Sequence, residues 1–250
     1  VVKVGIIGGS GLEKLNIFQS VTEMVAETPY GQPSSSFFHG TLGLCEVFIL
    51  SRHGRLHEIP PTQVNNRANI TALQQLGCQY IIATTACGSL KEEYRRGEMV
   101  ILDQFIDFTK HRISTFYDHF EPDNIAHTPM AEPFSSHLRD LIIRCGEELN
   151  FTIHPTGTMI TIEGPRFSTR AESKMFRLLG ADVINMSIAP EVSLANEAKI
   201  PYAAIALTTD YDSWKHDENP VTWEEVMKVF DSNVRHVTAL LVKVLQNITE

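Results

Sequence analysis

Apolar positions along the chain switch repeatedly between two periods. Short apolar runs, continuous or alternating, predict strands at 2–7, 45–50, 80–84, 99–103, 156–162, 183–187 and 202–207. Between them the spacing becomes helical. Val64, Ala68, Thr71, Ala72 and Leu76 share a face that ends at Gly77, a C-cap residue, and Pro60 and Pro61 can open that helix. Phe134, Leu138, Leu141, Ile142, Cys145 and Leu149 share another face within 133–149. Ser168 or Thr169 can cap a helix that runs through Leu179 and stops at Gly180. Residues 191–198 read as helix, and a long apolar stripe from near Val221 to Leu245 predicts a last helix that closes the core. The stretch 31–44 is rich in Gly, Ser and Pro and reads as loop or hairpin, and 105–120 reads as a polar-aromatic loop. No linker, repeat or low-complexity tract interrupts the order. Strands alternating with helices predict one α/β layered domain over residues 1–250.

Composition narrows the function classes. The chain has 250 residues, is 43% hydrophobic and carries a formal net charge of -9. That charge argues against nonspecific partners such as nucleic acid or an anionic membrane, while a local basic cluster can still hold a small anion. Cys45, Cys78, Cys87 and Cys145 form no CxxC pair and no zinc spacing, so a reduced, intracellular protein is expected. Val1 to Ile7 is too short and too soon broken by glycine for a signal peptide, and no apolar run approaches a membrane span. Four matches to the glycosylation sequon, at Asn69, Asn150, Asn185 and Asn247, read as chance.

The candidate chemistry lies where predicted strands end. Gly8-Gly9-Ser10-Gly11-Leu12 follows the first strand; its N–H groups and the Ser10 hydroxyl can cradle an anion, although a tight structural turn explains it equally. Arg52 and His53 follow the second and offer donors suited to phosphate, or form a surface pair. Thr85-Ala86-Cys87-Gly88 follows the third; Cys87 has no evident base and reads as a small packing residue rather than a nucleophile. Asn185-Met186-Ser187 ends another strand. Asp210 and Asp212 end the last, and burial there would raise a carboxyl pKa until it can donate a hydrogen bond; a helix cap is the plainer alternative. The histidines of the 105–120 stretch, His111 and His119, fit no metal-ligand pattern, so no metal is expected. An anion site, an apolar floor and wall from Met186 and Phe167, and carboxylates for a ring's polar edge suit phosphate attacking a purine nucleoside.

Six motifs, in order, carry a resemblance that spans nearly the whole chain. They are 8–12, 51–54, 84–90, 130–134, 161–167 and 206–214. The chain resembles the trimeric purine nucleoside phosphorylases, and among them the 5′-methylthioadenosine phosphorylases. The resemblance implies a single α/β domain with a central mixed, partly barrel-like β-sheet flanked by helices. It also implies a cytoplasmic homotrimer and phosphorolysis of 5′-methylthioadenosine to adenine and 5-methylthioribose 1-phosphate. No metal or organic cofactor is implied, and inorganic phosphate is the co-substrate. Ser10, Arg52, His53, Thr85 and Ser187 fall on the phosphate positions, with the Ala86 backbone nearby. Ser10 and Ser187 stand where threonine is common, and both keep the hydroxyl. Met186 falls on the ribose position, and Ala86, Cys87, Gly88 and Phe167 line the base. Asp210 corresponds to the carboxylate at purine N7 and Asp212 to its partner near the 6-amino group, so Asp210, Asp212 and Ser10 are the expected catalytic set. His127 from a neighbouring subunit, Trp223 and Val226 fall near the 5′-methylthio pocket; Trp223 replaces a smaller aliphatic, which bears on the breadth of 5′ groups accepted. A phosphorylase of 6-oxopurine nucleosides is the alternative in the same fold. Asn in place of Asp210 would favour it, since an amide donates to N7 while its oxygen accepts from N1–H. A noncatalytic nucleotide-binding module or a dehydrogenase is disfavoured, because GxGxxG is absent.

Overall fold

The computed structural model describes residues 1–8, 21–123, 125–218 and 221–249. The glycine-rich stretch with Ser10 therefore lies outside the described residues. The strands are β1 (Val2–Gly8), β2 (Thr22–Met24), β3 (Phe37–Leu42), β4 (Cys45–Ser51), β5 (Tyr80–Ser89), β6 (Met99–Ile101), β7 (Gln104–Phe108), β8 (Ile153–His154), β9 (Thr158–Ile162), β10 (Val183–Asn185) and β11 (Tyr202–Asp210). The α-helices are α1 (Asn66–Gln75), α2 (Ser136–Glu148), α3 (Arg170–Leu178), α4 (Ile188–Glu197) and α5 (Trp223–Asn247). One mixed sheet runs β2-β3-β4-β1-β5-β10-β9-β7, with β11, β6 and β8 branching from β5. The expected mixed sheet with flanking helices is present, and the branched sheet does not close into a barrel.

Its central strands are buried on both faces, which is why they read as unbroken apolar runs. Along β11, Ala203, Ile205 and Leu207 join a core with Leu138, Leu141 and Ile142 of α2 and Phe230, Val237 and Leu241 of α5. The alternating residues Tyr202, Ala204 and Ala206 join the opposite core with Ile70 and Leu73 of α1 and Val192 and Leu194 of α4. Period-two alternation thus puts one helix pair on each face. Gly5 lets α1 come close: a Cβ there would lie 2.8 Å from Leu73 Cδ2.

Local chemistry sets most boundaries. Asn65 caps α1 by accepting from Ala68 N–H, and the two prolines open a 3-10 turn at Pro61–Gln63 rather than the helix itself. Thr169 and Glu172 form a capping box at the start of α3. The 31–44 stretch resolves as the expected hairpin, β3 pairing antiparallel with β4. Boundaries differ from the sequence reading in several places. The 105–120 loop begins as strand β7, paired parallel to β9 at the end of the sheet path, where partial burial hides the strand pattern. Helix α4 starts at Ile188, three residues early. Strand β5 continues past Thr84 to Ser89, because its partners change along its length.

That change of partner places the site. One edge of β5 pairs with β1 from Tyr80 to Ala83 and with β10 at Gly88 and Ser89. Thr84 to Cys87 lie in the gap between those partners. β11 runs parallel along the other edge throughout, from Ile81 to Gly88. The gap opens beyond the carboxyl ends of β1 and β11, where open α/β sheets bind ligands.

Candidate active site

A single cavity at this gap is lined by Arg52, His53, Thr85, Ala86, Cys87, Gly88, Phe167, Met186, Ser187, Asp210, Asp212, Trp223 and Val226. Expected site residues from six separate segments therefore converge. Each arrives for a topological reason. β10 runs antiparallel to β5, so the chain leaving Asn185 travels back toward Thr85 and brings Met186 and Ser187 with it. In β11 the register against β5 slips between Thr208 and Asp210, which makes Thr209 a bulge and turns Asp210 toward Gly88. A Cβ at Gly88 would stand 2.9 Å from Asp210 Oδ1, so glycine leaves that carboxylate its place.

At one end the polar groups suit an anion. Arg52 is almost wholly buried, and its guanidinium is held by Glu191 through Nε and through Nη2, the latter at 3.1 Å. Nη1 donates to Thr84 O at 3.0 Å and Tyr202 O–H donates to Glu191 Oε2 at 2.9 Å. The forked edge that the sequence suggested for phosphate thus faces a carboxylate. Burial works against the Arg52 charge, but Glu191 outweighs it, so the guanidinium pKa rises. Beside it, burial and the Arg52 charge push His53 down to about 4. Its Nδ1 lies 3.0 Å from Ile59 O, where a neutral ring donates, leaving Nε2 as an acceptor. Thr85 and Ser187 supply hydroxyls, both bonded to the Asn185 amide at 3.2 Å.

At the other end two carboxylates are buried. Burial raises the Asp210 pKa, and bonds from Thr209 O–H at 2.8 Å and Asp212 N–H at 2.7 Å hold the rise back. Burial raises Asp212 as well, against the nearby hydroxyls of Ser173 and Ser168. Those hydroxyls face the carboxylate without well-formed hydrogen bonds: Asp212 Oδ2, Ser168 Oγ and Ser173 Oγ are all buried and unpartnered. Asp212 also has φ 45, a strained value for an aspartate. Cys87 packs nearby with its thiol pKa pushed up by burial, as suits a packing residue rather than a nucleophile. Met186 lies against Gly164, where a Cβ would come within 2.4 Å of its sulfur.

The first turns of α5 close the remaining wall with Trp223, Val226, Met227 and Phe230. His57 bridges this wall to the anion end, its ring 4.6 Å from His53 and 4.7 Å from Trp223. His127 lies apart from the cavity; it is exposed, 5.6 Å from the Phe120 ring. Sequence reasoning missed His57, Ser168, Met227, Phe230 and Glu191. His57 follows Arg52-His53 closely enough to have been noticed, whereas nothing in the sequence links Glu191 to Arg52. Arg112, in the 105–120 stretch, has an almost wholly covered side chain that tethers Glu163 and the Met186 carbonyl. Among the described residues no three His, Cys, Asp or Glu side chains cluster to hold a metal ion.

Known proteins resemble this chain over nearly its whole length. S-methyl-5′-thioadenosine phosphorylase of Danio rerio is 48% identical over 251 residues, covering 100% of this chain and 90% of that one. The Xenopus tropicalis protein of the same name is 50% identical over 250 residues, covering 99% and 89%. The solved structure of methylthioadenosine phosphorylase from Schistosoma mansoni in complex with adenine superposes with a TM-score of 0.92 at 42% identity, covering 98% of this chain and 91% of that one. The phosphorylase superfamily model matches residues 3–246, and the chain belongs to that superfamily.

Proposed function

We propose that this protein cleaves 5′-methylthioadenosine by phosphorolysis, releasing adenine and 5-methylthioribose 1-phosphate. The observation that carries the reading is a pair of buried carboxyls with raised pKa, Asp210 and Asp212, across one cavity from an anion end built by Arg52, His53, Thr85 and Ser187. The relatives named above support the substrate assignment. In this reading the purine lies between Phe167, Met186 and the Ala86–Gly88 strand, with its polar edge on the carboxyls. Inorganic phosphate is the co-substrate, and no metal or organic cofactor takes part.

As the glycosidic bond breaks, the sugar becomes cation-like and the purine anion-like. Phosphate held behind the anomeric carbon stabilises the first charge and forms the new C–O bond. A proton on Asp210, shared with N7, stabilises the second; help of this kind is typically worth ~10²–10⁴-fold in rate. Placing phosphate and nucleoside together contributes separately. The apolar wall of Trp223 and Val226 receives the methylthio group. A neighbouring copy in a homotrimer supplies His127, which its own cavity does not use, and Ser10 completes the phosphate set. Residues 1–250 act as one catalytic domain. The buried free cysteines suit a reducing cytoplasm, and the acidic balance suits a small-molecule enzyme with no nucleic-acid or membrane partner. Among the described residues no helix is long and apolar enough to cross a membrane.

The test is ultraviolet detection of adenine release from methylthioadenosine with and without phosphate. Release that requires phosphate supports the reading, and equal release without it would make the protein a hydrolase.

A further inference from the structure

Both side-chain hydroxyls at the described anion end bond to one residue that lies beneath them. Asn185 is buried at the end of β10, and its Nδ2 donates to Thr85 Oγ1 and to Ser187 Oγ, each at 3.2 Å. Its Oδ1 accepts from Thr161 O–H at 2.9 Å and from Ser187 N–H at 3.3 Å. The amide has only one orientation that fits. Ser187 N–H can only donate, so the oxygen must face it and the NH₂ must face the two hydroxyls. Thr161 Oγ1 in turn accepts from Ala189 N–H at 3.1 Å, which frees its proton for Asn185. A one-way chain of hydrogen bonds therefore starts at the α4 backbone and ends at the cavity.

We propose that Asn185 is a positioning residue that aims the hydroxyl protons of Thr85 and Ser187 at the bound phosphate. Each hydroxyl oxygen already accepts an amide N–H, so each has its own proton left to give. The Thr85 proton bonds the adjacent Ala86 O at 2.9 Å, a contact an incoming oxyanion replaces. The Ser187 proton has no protein acceptor among the described hydrogen bonds. This aim matters because Thr85 and Ser187 line the anion end together with Arg52 and His53, and donors that are already oriented cost no reorganisation on binding.

The inference rests on the phosphorolytic reading, and the experiment separates the two. Asn185→Asp keeps the side chain's shape but has no N–H. Its carboxylate would accept the two hydroxyl protons and turn them from the anion. We expect a rise in phosphate KM of about a hundredfold, the loss of two charge-assisted hydrogen bonds. The nucleoside KM should move little. A structural role alone would degrade both KM values together, and that pattern overturns the proposal, as does an unchanged phosphate KM. Thr85→Val and Ser187→Ala give a reading that needs no Asn185 variant to fold: each should raise phosphate KM selectively, and phosphate KM unchanged in both overturns the proposal. Wild-type adenine release independent of phosphate would instead defeat the functional reading itself.

Discussion

The two ends of the cavity are built on opposite principles. At the anion end the charged and amide groups are paired: Arg52 with Glu191, Glu191 with Tyr202, and Asn185 with four groups. At the purine end the buried Asp212 carboxylate faces the hydroxyls of Ser168 and Ser173, burial raises the pKa of both carboxyls, and Asp212 sits at positive φ. In the proposed reaction phosphate meets charged groups already paired within the protein, and the purine meets carboxyls whose charged form burial disfavours. That division would suit a proton shared at N7, which must sit on such a group.

Mutation should break the two ends in opposite directions. Glu191→Ala has the largest expected effect. It leaves Arg52 charged and buried without its partner, which typically costs about 3–5 kcal/mol of stability. Chemical denaturation of wild type and variant checks this, and a loss below 1 kcal/mol would show that the anion end is not held by this pair. Acid should act next. The unfolded His53 ring takes a proton near pH 6.5 and the folded ring only near 4. Stability tied to the neutral ring is whole above pH 6.5 and is lost as the pH falls toward 4, by up to about 3 kcal/mol. Melting curves at pH 7 and 4.5 should diverge less in His53→Gln than in wild type. Asp212→Asn should have the smallest effect on stability and the opposite sign. Above its raised pKa the buried carboxylate weighs against folding, so the amide should gain about 1 kcal/mol while activity falls. A variant that is both less stable and fully active would erase the contrast between the two ends.

Much of this site is legible in the chain because ligand-type residues follow compact apolar runs. Arg52 and His53 after β4, Ser187 after β10 and Asp210 at the end of β11 stand out on that basis alone. What pairs with them does not. Glu191 lies 139 residues from Arg52 in a helix whose sequence suggests no charge partner, so its burial is a product of tertiary folding. The β5 strand looked finished at Thr84 because hydroxyls and glycine replace branched residues there. Its continuation depends on β11 pairing from Ile81 to Gly88 while β10 takes over from β1 on the other edge. The bulge at Thr209 leaves no mark in composition, yet it turns Asp210 toward Gly88.

The central claim is that Asp210 holds a proton for N7 and reads the 6-amino group with its other oxygen. With a 6-oxopurine that second contact sets two acceptors face to face, at a cost of roughly 1–3 kcal/mol, or about ten- to a hundredfold. The direct measurement is the ratio of kcat/KM for methylthioadenosine to that for methylthioinosine, in wild type and in Asp210→Asn. The amide donates to N7 without a proton to transfer, so the account predicts a lower value for methylthioadenosine and a ratio shifted toward methylthioinosine by about tenfold or more. Intact Asp212 can leave that shift incomplete. A ratio unchanged between the two proteins would contradict the account, because Asp210 would then not read the 6-position at all.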